Sequence, residues 1–189
     1  MNARPSITFE ESHILTSIVG LGSNLDSAHG SKLDVIRKAV KALGEFSSQP
    51  YIASSFYESE PDGCPPNSPL FVNSVVALFL PVNTDIKSFF WNIQRLEEKL
   101  GRVRSGINNQ PRSIDLDLLF FGHISLSSDA LTIPHPRALE RRFVLEPLAE
   151  IAPDLVLPGQ KFSVLQLLKD LPQREWVRKL EDGKVNDAK

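Results

Sequence analysis

The stretch SIDLDLLFFG, residues 113–122, constrains this chain more than any other. Read as a strand, it alternates its side chains between two faces, so Ile114, Leu116 and Leu118 share one side and Asp115 and Asp117 the other. The apolar side has to be covered by packed elements. The other side holds two carboxylates close enough to repel each other. Either water bathes that face, as on an edge strand, or cations sit on it. The continuation into LLFFG reads as a central strand, which favours cations.

The segments around this strand define an architecture. ILTSIVGLG, residues 14–22, reads as a buried strand ending in a glycine turn. Leu33, Ile36, Val40 and Leu43 fall at helical spacing and predict a helix from about Ser31 to Leu43. YIASSFYES and LFVNSVVALFL predict two strands, and the ten residues between them, EPDGCPPNSP, predict a loop. Thr84 is placed to cap a second helix whose stripe runs through Ile86, Phe89, Phe90, Ile93, Leu96 and Leu100, with Gly101 ending it. The order strand, helix, strand, strand, helix, strand is the βαββαβ pattern of a ferredoxin-like α+β sandwich. Helices would cover one sheet face, and long substrate loops would cross the other. Ser163 and Gln166 have capping-box spacing, with Phe162 and Leu167 at staple positions. They predict a short accessory helix, and the charged end from Glu181 is expected to fray. The expected organisation is a flexible lead-in over 1–12, one domain over 13–159 and a C-terminal extension over 160–189.

Three stretches carry chemistry. The loop GRVRSGINNQPRS contains three arginines and no acid, just before the aspartates. Carboxylates that hold Mg²⁺ beside guanidinium groups suit a polyphosphate, because hard cations take oxygen ligands and arginines grip phosphate oxygens in pairs. His135 stands between two prolines and is followed by Arg137, Arg141 and Arg142, a set that suits an anion. Phe71 and Asn73 share one strand face. A ring over Phe71 can be read at its edge by the Asn73 amide, which offers a donor and an acceptor side by side. Each feature also has a plain structural reading: an exposed arginine loop, a structural histidine, a core phenylalanine. No P-loop or dinucleotide glycine fingerprint occurs.

Together, GLGSNL, SSFYES, FVNSVVAL, LEEKLGRVR, PRSIDLDLLFFG and IPHPRALERRFVLEPLAEIAP resemble the 6-hydroxymethyl-7,8-dihydropterin pyrophosphokinase family from about Ile14 to Pro158. The resemblance implies transfer of a pyrophosphoryl group from ATP to a pterin alcohol in folate synthesis, with AMP leaving. It implies that Asp115 and Asp117 hold two Mg²⁺ ions and that Arg102 and Arg112 belong to the catalytic machinery. Gln94, Glu97, Arg104, Leu118, Thr132, His135 and Arg141, with Arg112, match the ATP side. Gly22, Ser59, Glu60, Pro61, Asp62, Phe71, Asn73 and Phe143 match the pterin side, the two aromatics sandwiching the ring. Loops over about 61–69 and 102–112 would close on the substrates. The run INNQ and Pro136 depart from the family's pattern, and nothing carries over to the tail after Gln160.

Composition sets the remaining bounds. The net charge of −2 gives no electrostatic case for nucleic acid or anionic membrane. One cysteine, Cys64, suits a reducing cytosol. No apolar run approaches the roughly 20 residues of a membrane span. The expectation is a cytoplasmic monomer acting on small molecules, either free-standing or as a module of a larger folate protein. Two rival readings stay open: a metal-dependent phosphohydrolase on the same scaffold, and a ferredoxin-like RNA-binding module.

Overall fold

A computed structural model describes residues 7–8, 10–11, 13–103, 110–172 and 176–181. Among these, seven strands form one antiparallel sheet. At its centre β2 (Ile14–Ser23) pairs with β5 (Phe71–Pro81) from Ile14↔Pro81 to Ser23↔Val72. On the far side of β2 lie β1 (Glu10–Glu11) and β6 (Asp115–Phe121). On the far side of β5 lie β3 (Ile52–Ala53) and β4 (Tyr57–Ser59), and β4 pairs in turn with β9 (Val177–Lys179).

The predicted helices form where expected. α1 (Lys32–Gly44) starts at Ser31, whose hydroxyl accepts from the Asp34 amide in a capping box. α2 (Ile86–Lys99) is capped by Asp85, which accepts from Ser88 N at 2.8 Å, and not by Thr84. The Thr84 hydroxyl is committed to the Pro81 carbonyl. α2 ends as predicted at Gly101, with φ +90; the amides of Gly101 and Arg102 donate to Glu98 O and Glu97 O. YIASSFYES is two short strands rather than one. Ser54 breaks it, since its hydroxyl bonds the Ser74 hydroxyl and the Val75 amide and so takes a place in the sheet itself.

α1 and α2 cover one sheet face over a core that includes Val19, Ile36, Val76, Ile93 and Phe121. The opposite face is not left to loops. α3 (Arg142–Ile151) and α4 (Val164–Asp170) pack there on Ile18, Val75, Ala77, Leu119 and Phe120. Those inward positions are apolar and need cover. The helices stop short of the sheet end that carries Gly20, Gly22, Phe71, Asn73, Asp115 and Asp117, and a cleft opens there.

β6 is also an edge strand, not a central one: among the described residues it pairs only with β2 in this sheet. Its LLFF run is apolar because helices pack on both faces, and because the pairing slips by one residue at Leu119. That bulge sends both Leu119 and Phe120 to the α3 side, starting two residues after Asp117. Among the described residues, β1, β9, helix α3 and a small separate pair of strands, β7 (Leu126–Ser127) and β8 (Thr132–Ile133), lie outside the sequence expectation. Ile7, ahead of β1, is buried in the α3 core.

Candidate active site

The sheet builds the site from rows of cross-strand neighbours. One row runs Tyr57, Asn73, Gly22, Asp115; the next runs Val75, Gly20, Asp117. Glycine opposite each aspartate leaves the floor bare. A Cβ on Gly22 would stand 3.4 Å from Asn73 Oδ1 and 3.5 Å from Phe71 Cδ1, so the missing side chain keeps those two groups accessible.

Two cavities meet at the aspartates. The first is lined by Gly22, Ser59, Glu60, Asp62, Phe71, Asn73, Arg112, Arg141 and Phe143 among others. The second is lined by Gln94, Glu97, Arg102, Leu118, Thr132 and His135 among others. Asp115 and Asp117 line both. The structure thus separates nearly all of the predicted pterin-side residues from the predicted nucleotide-side residues, with the aspartates between. Pro61 is not part of the first lining, and Arg141 and Arg112 line the first cavity rather than the second. Arg104 lies outside the described residues.

The two aspartates have different surroundings. Asp115 is clasped by Arg102 Nη1 on Oδ1 and by Arg112 Nη2 on Oδ2 at 2.7 Å. No described residue donates to Asp117. Burial pushes its carboxyl well above the usual range, and the charges of Asp115 and Glu97 push it further. Glu97, 2 % exposed, sits beneath the pair and accepts the Leu116 amide on Oε1 at 2.7 Å, with Arg102 Nη1 at 3.5 Å. It therefore pins the residue between the aspartates and seals part of the exposed edge of β6. The Leu119 carbonyl on that edge is taken by the His135 amide at 2.9 Å. Burial, then the nearby Arg137 charge, lowers the His135 pKa and favours its neutral form.

The ring-side cavity has an aromatic on each flank and an amide on its floor. The Arg112 guanidinium stacks over Phe71 at 5.3 Å and that of Arg141 over Phe143 at 5.2 Å. The Nε atoms of both arginines are buried without a hydrogen-bond partner among the described residues. Asp62 lies within 3.4 Å of Arg141 and 3.7 Å of Arg137, tying loop 60–69 to the start of α3. Asn73 Nδ2 donates to Ser59 Oγ at 2.9 Å.

Sequence reasoning missed Asn24. It is 2 % exposed, and its side chain accepts from Arg112 N at 2.7 Å and donates to Pro69 O at 3.2 Å. One amide thus joins Pro69, at the end of one loop, to Arg112, at the end of the other. The signal was an asparagine directly after a strand-ending glycine turn.

A carboxylate pair at the junction of an aromatic-flanked cavity and a polar one suits a group transferase that holds two substrates against a shared anionic wall. The family model for 7,8-dihydro-6-hydroxymethylpterin-pyrophosphokinase matches residues 18–153, and the chain belongs to that family. The 2-amino-4-hydroxy-6-hydroxymethyldihydropteridine pyrophosphokinase of Haemophilus influenzae is 33% identical over 168 residues, covering 87% of this chain and 98% of that protein. Its Synechocystis counterpart is 36% identical over 156 residues, covering 82% and 75%. The folic acid synthesis protein fol1 of Pneumocystis carinii is 36% identical over 146 residues, 77% of this chain but only 19% of that protein. A crystal structure of Plasmodium falciparum HPPK-DHPS superposes with TM-score 0.61 at 15% identity, over 85% of this chain and 44% of that one, and it shows the fold alone. Some relatives are thus several times longer than this chain, while the Haemophilus protein matches it nearly end to end. The family's reaction is pyrophosphoryl transfer from ATP to hydroxymethyldihydropterin in folate synthesis. Neither the hydrolase nor the RNA-binding reading finds support in these relatives.

Proposed function

We propose that the chain carries out this transfer with the pterin in the first cavity and ATP in the second, the reacting groups meeting at Asp115 and Asp117. The observation that carries the reading is the shared aspartate wall between two cavities of different lining. Phe71 and Phe143 would hold the pterin by its faces, and Asn73 would read its edge, fixed in orientation by Ser59. That clamp places the hydroxymethyl oxygen toward the aspartates, where it attacks the β-phosphorus and AMP leaves. Arg102 and Arg112 are already beside Asp115 and would turn to phosphate oxygens as charge builds there. Most of the acceleration would come from positioning and electrostatics.

The carboxylate pair fits Mg²⁺. Asp117 is half-buried, has no donor among the described residues and is repelled by two neighbouring acids, so a cation relieves an existing strain in charge. Mg²⁺ takes one or two carboxylates together with substrate phosphates, and among the described residues no group of three or more ligating side chains occurs. Asp115 and Asp117 would hold two ions, whose contribution is to neutralise the ATP phosphates.

Further parts of the reading rest on the same residues. The strand order β6–β2–β5–β4 with α1 and α2 on one face supports a ferredoxin-like wind. Residues 13–159 would form the catalytic domain and 160–189 an extension. The site of action would be the cytosol, with a monomer as the working unit.

Product analysis with ATP, Mg²⁺ and 6-hydroxymethyl-7,8-dihydropterin tests the function. One AMP per pterin consumed, and none without pterin, is the expected result. ADP, or nucleotide breakdown indifferent to pterin, overturns it.

A further inference from the structure

The matched family residues end at 153, yet the chain beyond them returns to the sheet. β9 pairs with β4 in the register Tyr57↔Lys179, Glu58↔Arg178 and Ser59↔Val177. Leu180 N donates to Phe56 O at 2.9 Å and Glu60 N donates to Trp176 O at 3.4 Å. By antiparallel alternation, Arg178 and Glu58, midway between those bonds, form a hydrogen-bonded pair as well. A second tie is made by side chains. Lys179 Nζ donates to Glu150 Oε1 at 2.7 Å, and Glu150 also accepts from Ser55 N, Ser55 Oγ and Tyr57 OH at 2.8 to 3.1 Å. Helix α3, strand β4 and strand β9 are thus bound through one carboxylate.

β4 is only three residues long and is preceded by the irregular turn at Ser54. Without β9 its outer edge would be unpaired. Yet β4 delivers Ser59, the partner of the Asn73 amide, and leads into Glu60 and Asp62 on the rim of the first cavity. None of these contacts reaches the second cavity.

We propose that β9 is a positioning element for the pterin-side cavity: by pairing with β4 and tethering Glu150, it holds the Ser59–Asp62 rim and the Asn73 amide in place, and leaves the nucleotide side untouched. The assignment of substrates to cavities rests on the function proposed above; the positioning itself does not.

The test uses full-length variants. Arg178→Pro removes the central ladder amide, whereas Arg178→Ala removes only a side chain that is 62% exposed, with its Glu58 pair and Trp176 stack. In Arg178→Pro, amide exchange over residues 57–62 should speed up about tenfold while α2 and β6 keep their protection. The KM for hydroxymethyl-dihydropterin should rise about tenfold with the KM for ATP within about twofold. Arg178→Ala should stay within about twofold on every measure. Unchanged exchange over 57–62 in Arg178→Pro overturns the proposal, as does a parallel rise of both KM values. Should Arg178→Pro fail to fold, Lys179→Met decides: faster exchange over 55–59 with a selective rise in pterin KM supports β9, and no change in either overturns it. If the wild-type chain makes no pterin-dependent AMP, the function fails, while the exchange comparison still decides the role of β9.

Discussion

Glu97 holds the Leu116 amide at 2.7 Å, from a helix to the edge strand, between the two aspartates of the site. The bond keeps Asp115 and Asp117 on their face by fixing the residue between them. Because Leu116 N is buried, removing its acceptor leaves an unsatisfied donor. Glu97→Ala should cost about 1–3 kcal/mol in urea unfolding, while Glu97→Gln, which keeps an acceptor, should stay within about 1 kcal/mol. Equal losses in the two variants would show that the hydrogen bond is not what matters.

Asp117 is where burial and repulsion are already paid in the free protein, so removing it should leave the fold intact and the reaction crippled. Asp117→Ala should lower AMP formation at least about 100-fold at saturating Mg²⁺, with a thermal midpoint no lower than that of the wild type measured in chelator. Near-normal turnover would sink the metal assignment.

Gly22 leaves room on the floor of the first cavity. An added methyl would meet Asn73 and Phe71 at 3.4 and 3.5 Å, contacts the fold can accept. Gly22→Ala should therefore keep its stability and raise the pterin KM about tenfold, leaving the ATP KM alone. Steady-state kinetics with each substrate varied in turn would show it; an unchanged pterin KM would remove Gly22 from the pterin floor.

Glu150 predicts an acid-side stability loss. Burial pushes its carboxyl up, but hydrogen bonds from Lys179 and Ser55 outweigh that and leave it below its ordinary value of 4.5. A depressed carboxylate stabilises the fold above the unfolded-state pKa, and that contribution is lost as pH falls through the folded-state value. Thermal midpoints of Glu150→Gln should lie below wild type at neutral pH, and the gap should close as pH drops under 4.5. A gap independent of pH would mean the ionised form is not what binds the three elements.

What the sequence by itself determined is local geometry. Period-two alternation puts Asp115 with Asp117 and Phe71 with Asn73, and both pairs line the first cavity. Helical spacing locates α1 and α2, because a stripe of apolar residues repeats within a few residues of chain. Tertiary structure decided what depends on partners distant in sequence. LLFF reads the same whether strands or helices flank it, so the edge position of β6 and the bulge at Leu119 could not be seen. Nor could the covering of the second face by α3 and α4, the Asn24 bridge between two loops, or the return of residues 177–179 to the sheet. Alternation is imposed by the backbone of each residue in turn. Which strand neighbours which is settled only when the whole chain competes to bury its apolar faces and satisfy its amides.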